Sequence, residues 1–192
     1  MNLGSRPLGV LPIDPLQITS LGINQGEGPV AIVLDYTNVA IHGISKADLK
    51  GDVKSLTLKV STDEVLSLRG QYTIAGKVLV LPISGTGNSK IDLFGAEATI
   101  TFTGKTGMID GYEYLGFHQA DFDLNPRSVT LHFENLFNGD KALGDNMNEF
   151  LNKNWEEVWP ELKTPVQNAF GSTFIEVANR IFTKVPYDKI FP

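Results

Sequence analysis

A chain of 192 residues with 42% apolar and 20% charged side chains is long enough and apolar enough to close a substantial core. Its net charge of −6 and pI near 5.0 exclude the broad basic surface that nucleic-acid phosphates or anionic head groups attract. The absence of cysteine excludes a disulfide framework, a thiolate metal site and a thiol nucleophile.

Met1 to Pro7 contains no apolar run of signal-peptide length. No uncharged apolar stretch approaches the ~20 residues of a membrane helix, so stable membrane insertion is not expected. From about Leu16 to Phe133 the apolar residues recur with period two. Val30, Ile32, Leu34 and Tyr36 alternate with Ala31, Val33, Asp35 and Thr37, and the rhythm returns at Leu56-Leu58-Val60, Leu66-Leu68 and Val129-Leu131-Phe133. Turn residues at Gly26–Pro29, Ala75-Gly76, Gly85–Asn88, Gly104–Gly107, Asp110-Gly111 and Asn125-Pro126 predict an antiparallel meander of hairpins. Gly51, Gly70 and Gly95, inside strand-like text, predict bends or bulges and a strongly curved sheet.

After Gly139 the period becomes helical. Apolar residues three and four apart run from Leu143 to Val185, with kinks expected at Pro160 and Pro165 and a stop at Pro186. The bend is expected between Trp159 and Val166. Asn138 or Asp140 can cap the helix, and Gly139 permits the turn into it. The stripe is broad and aromatic, and its partner is the apolar face of the hairpins. The expected fold is therefore α+β: a super-curved antiparallel β-sheet wrapped around one long C-terminal α-helix. A lumen between the two layers is lined by aliphatic and aromatic groups.

The candidate ligand contacts are Val30, Ile32, Leu34, Tyr36, Leu68 and Tyr72 on the strands. On the helix they are Met147, Phe150, Leu151, Trp155, Trp159, Phe174 and Ile181. Trp155 and Trp159 stand at i, i+4 and share one helix face, where they serve as core or as lumen wall. The hydroxyls of Tyr36, Tyr72 and Tyr114 and the indole nitrogens are the groups available to orient a ligand.

Sharper chemical readings find little support. Ser84–Lys90 is glycine-rich but lacks the Gly-Lys-Ser/Thr ending of a phosphate loop and precedes strand-like text, so a hairpin turn is expected there. His42, His118 and His132 lack metal-ligand spacing, and no Gly-x-Ser-x-Gly elbow is present. No metal, no cofactor and no enzymatic activity are expected. A protein-interaction or regulatory module of the same fold and, less favoured, an ester hydrolase remain as alternatives.

Several stretches resemble the insect Takeout and haemolymph juvenile-hormone-binding proteins. They are Leu8-Gly9-Val10 through Asp14-Pro15-Leu16, Asn38–Gly43, Gly70-Gln71-Tyr72, Gly76–Gly87 and Phe133–Lys141. Leu143–Asn146, Phe150-Leu151-Asn152 and Val185–Asp188 continue the series. The resemblance covers nearly the whole chain in order and implies a single domain over residues 1–192, of the tubular lipid-binding type. It further implies secreted carriers of terpenoid hormones, fatty acids or other lipids, some under circadian or feeding-related control, here expected as a monomer. A signal peptide and a helix with a cysteine pair usually precede such text. Their absence is read as truncation or an internal start, and it puts in doubt export and closure of one tunnel end.

Overall fold

The computed structural model describes residues 14–52 and 56–190, so the Leu8-Gly9-Val10 part of the resemblance lies outside the described residues. Strands β1 (Leu16–Gln25), β2 (Val30–His42), β3 (Asp48–Asp52), β4 (Thr57–Ser61) and β5 (Val65–Val78) come first. They are followed by β6 (Leu81–Phe94), β7 (Glu97–Ile109), β8 (Tyr112–Asn125) and β9 (Ser128–Phe133). Helices α1 (Lys141–Lys153), α2 (Trp155–Phe182) and α3 (Tyr187–Ile190) complete the chain.

The strands hydrogen-bond into two sheets, β1-β2-β5-β6-β9 and β3-β4-β7-β8, with all neighbours antiparallel. Apart from β1, the two orders correspond strand for strand. The reason is that β2 runs into β3, β4 into β5, β6 into β7 and β8 into β9. The expected super-curved sheet is thus one ribbon of long strands, each turning a corner. Specific groups hold the corners. Thr62 N–H donates to the Ala96 carbonyl (3.1 Å) and Arg127 N–H to that of Phe94 (2.9 Å). Gly95 adopts φ +55°, and a Cβ there would fall 2.0 Å from the Arg127 guanidinium, so the β6/β7 corner requires glycine. At the β2/β3 corner the Asp14 carboxylate accepts from the N–H groups of Gly43 (3.1 Å) and Ser45 (3.0 Å). Burial alone would raise the pKa of Asp14, but hydrogen bonds from Ser45 and Gly43 hold it below the usual carboxylate range.

Two glycine-rich stretches expected as turns are strand interior. Ser84–Lys90 lies within β6, and Gly104–Gly107 within β7, where the register shifts at Thr103/Gly104. The glycines allow close approach: a Cβ on Gly85 would stand 2.8 Å from the Tyr72 hydroxyl, and one on Gly87 2.5 Å from the Glu134 carbonyl. Ala75-Gly76 is likewise inside β5, and the β5/β6 hairpin turns instead at Leu79-Val80. The turns expected at Gly26–Pro29 and Asp110-Gly111 are where they were placed.

The helical segment begins at Lys141, where the Asp140 carboxylate accepts the Leu143 N–H at 3.0 Å. It breaks at Asn154 (φ −113°, ψ 18°), and α2 then continues through Pro160 and Pro165. The sharp interruption expected at the prolines therefore lies earlier. Each proline removes one backbone hydrogen bond, a loss that a helix packed along its length absorbs, whereas Asn154 has left helical geometry.

α2 packs on β1 and β8, an edge strand from each sheet, and α1 packs on the edge strand β9. Three asparagine amides make the joins. Asn148 Oδ1 accepts from Phe133 N–H (2.9 Å) while its Nδ2 donates to the Phe133 carbonyl (2.9 Å). Asn152 does the same at Leu131 (2.8 and 2.7 Å), and Asn179 at Phe117 (2.8 and 2.8 Å). Each amide takes the place of a missing neighbouring strand for one residue of an exposed edge.

Candidate functional site: an apolar cavity

Between the two sheets and α2 lies a cavity of about 410 Å³. Its walls follow from the pleat. On β2 the inward residues are Ile32, Leu34 and Tyr36; on β6 they are Ile83, Ile91 and Leu93. The second sheet supplies Leu58, Val60, Ile100, Phe102, Phe122 and Leu124. The third wall is one stripe of α2 from Trp155 through Trp159, Val166, Phe170 and Phe174 to Ile181, roughly 40 Å of helix.

Among the lining side chains only Tyr36, Trp155 and Trp159 carry a nitrogen or oxygen, and no Lys, Arg, His, Asp or Glu faces the space. Phe122 and Phe174 meet edge-to-face (5.2 Å, 73°), and Phe170 stands 5.8 and 5.9 Å from the two. A second aromatic group, Phe102–Phe117–Phe182 (4.8 and 4.9 Å), lies farther along the α2/β8 seam.

Of the sequence candidates, Ile32, Leu34, Tyr36, Leu68, Leu151, Trp155, Trp159, Phe174 and Ile181 are brought together around this cavity. Val30 (0% exposed) and Met147 are buried in the main core away from the lining, and Phe150 packs against that core half-buried. Tyr72 is also outside the lining. It meets Phe133 edge-on at 4.8 Å and donates its hydroxyl to the Glu134 carbonyl at 2.6 Å. Burial pushes its phenol up to about 12. Tyr114 is half-buried on β8, again outside the lining.

The Tyr36 hydroxyl accepts from Ser89 Oγ at 3.1 Å, and burial pushes that phenol above its ordinary pKa. The wall from the second sheet was not among the candidates. Its period-two signal at Leu58 and Val60 is present in the sequence, but the pairing that turns it inward is long-range. His42, His118 and His132 do not line the cavity. Among the described residues no group of three His, Asp or Glu side chains stands close enough to hold a metal ion, and no helix is long and apolar enough to cross a membrane.

A family model described as haemolymph juvenile hormone binding protein (JHBP) matches residues 1–192. The circadian clock-controlled protein daywake of Drosophila melanogaster is 25% identical over 95% of this chain and 75% of its own length. A putative beta-carotene-binding protein of Schistocerca gregaria is 24% identical over 98% of this chain and 77% of its own length. Among solved structures, Takeout 1 of Epiphyas postvittana superposes with a TM-score of 0.75 at 24% identity, covering 98% of this chain and 88% of that one, which shows a shared fold.

Proposed function

This chain belongs to the haemolymph juvenile hormone binding protein family, and from that premise we propose that it binds elongated, uncharged apolar molecules and carries them through water. The observation that supports this most is the lining of the cavity: hydrocarbon on every side, without one ionisable carboxylate, amine or imidazole. A ligand losing roughly 300 Å² of apolar surface there gains about 7 kcal/mol, against which the entropy of association is set. The likeness to a putative beta-carotene-binding protein, and a family named for a hormone carrier, support the same reading. They also support release into extracellular fluid. Single-domain monomers would suit a carrier whose ligand is wholly enclosed. An ester hydrolase would need a nucleophile and a base at the bound ligand, and the lining offers neither.

The experiment is displacement of a fluorescent apolar probe from the delipidated protein, with extraction and mass spectrometry of whatever lipid the protein brings from the host. Trp159→Glu places a charge in the lining, which must be desolvated or must draw in water, and is expected to abolish binding. Replacing His42, His118 or His132 by Gln is expected to leave it unchanged. A Trp159→Glu protein that melts like the parent and still binds the probe would remove the cavity as the site.

A further inference from the structure

The cavity wall holds one polar pair, and its hydrogen bonding is incomplete. Tyr36 shares the inward pleat face of β2 with Ile32 and Leu34, and Ser89 shares that of β6 with Ile91 and Leu93. The Tyr36 ring lies over Gly70 of β5, where a Cβ would meet it at 3.4 Å, and so reaches Ser89 on the next strand. Ser89 Oγ donates to Tyr36 Oη at 3.1 Å. Among the described residues no acceptor takes the Tyr36 proton. Tyr72 makes the contrast: its proton is committed to the Glu134 carbonyl at 2.6 Å. A buried phenol normally finds an acceptor, so a ligand atom is the partner that completes this one.

Resting on the carrier reading above, we propose that Tyr36 Oη is the polar anchor of the cavity and determines its specificity. It favours apolar molecules bearing one neutral acceptor oxygen, such as an ester, ketone or ether, over both plain hydrocarbon and the carboxylate of a free fatty acid. A neutral acceptor takes the Tyr36 proton. A hydrocarbon leaves it unpaired. A carboxylate could accept it, but its charge would lie among side chains with no Lys, Arg or His to balance it, and one phenol does not replace its hydration. Burial keeps Tyr36 protonated, and therefore a donor, across the ordinary pH range.

The test uses three probes of equal chain length, methyl palmitate, palmitate and hexadecane, each displacing the same naphthylamine dye at about pH 8, where the acid is ionised. The ester is expected to bind at least tenfold more tightly than the acid, a gap that narrows as pH falls and the acid becomes neutral. Tyr36→Phe should weaken the ester about fivefold and leave hexadecane unchanged. Ser89→Ala removes the neighbouring hydroxyl but not the Tyr36 proton, and should preserve the ester-to-hydrocarbon ratio. In the unaltered protein the infrared carbonyl band of bound, isotopically labelled ester should be shifted to lower frequency, a readout that holds even if Tyr36→Phe fails to fold. The anchor is overturned by an unshifted carbonyl band, by an acid as tight as the ester at high pH, or by an ester preference that disappears in Trp159→Phe or Ser89→Ala but survives Tyr36→Phe. Failure of all three probes to bind the unaltered protein would instead overturn the carrier reading itself.

Discussion

Asn148, Asn152 and Asn179 each present a donor and an acceptor to the N–H and carbonyl of one edge-strand residue. Such an edge otherwise offers alternate unpaired groups, and burying them under a helix would leave them unsatisfied. Two net hydrogen bonds at about 1 kcal/mol apiece set the size of the effect, so Asn179→Ala should lower unfolding free energy by about 2 kcal/mol in urea melts. Asn179→Asp should cost at least as much, because a carboxylate cannot donate to the Phe117 carbonyl. A melt in which Asn179→Asp equals the parent would show that the paired amide is not what matters. Nothing in the sequence marks these asparagines, since Asn in a helix usually reads as a weak helix former facing water. Asp140 is different: Asn138-Gly139-Asp140 ahead of an amphipathic run announces a cap by its local pattern, and Asp140 is the residue that makes it.

At the scale of elements, the seam between α2 and β8 depends on charge as well as on aromatic packing. Lys163 Nζ stands 2.9 Å from Asp123 Oδ1, Gln167 Nε2 donates to the same oxygen at 2.7 Å, and Asn125 Nδ2 donates to Oδ2 at 2.6 Å. The hydrogen bonds from Lys163, then from Asn125, hold the Asp123 carboxyl below the usual range. A depressed carboxylate contributes its stability above the unfolded pKa near 3.9 and loses it as pH falls through the folded value. Amide exchange along the α2/β8 seam is therefore expected to quicken relative to the β2/β5 ladder as pH drops below about 4. In Asp123→Asn that extra pH dependence should vanish; its persistence would assign the effect to another carboxylate. The corners between β2 and β3, β4 and β5, β6 and β7, and β8 and β9 follow the same logic of local groups serving a long-range shape. Gly95 was readable as a bend, whereas Ser84–Lys90 misled because its glycines permit Tyr72, Glu134 and Leu136 to approach β6 rather than turning the chain.

For the molecule as a whole, two sheets and a helix that meet only at their edges leave their inner faces apart, and the intervening space is closed to charge. A ligand that fills it binds the folded state alone, so saturation should raise stability by about 2.7 kcal/mol at a hundred times the dissociation constant. For a chain of this size that corresponds to a rise in Tm of roughly 5–10 °C with methyl palmitate, measured by calorimetry. No shift at saturation would mean that the ligand binds the unfolded chain equally or sits outside the cavity. The sequence by itself determined the class of both layers, because alternation and three-to-four spacing are local consequences of strand and helix geometry. By the same local logic it determined the apolar stripe of α2 and the inward row of β2, and it excluded a basic or thiolate chemistry. Only the tertiary structure decided which stretches pair, that the meander folds into two sheets, and that Leu58, Ile100 and Phe102 face the same space as Trp159. It also decided that Tyr72 is satisfied while the Tyr36 proton is free for a ligand, since a hydroxyl's partner is fixed by distance across strands and not by its position along the chain.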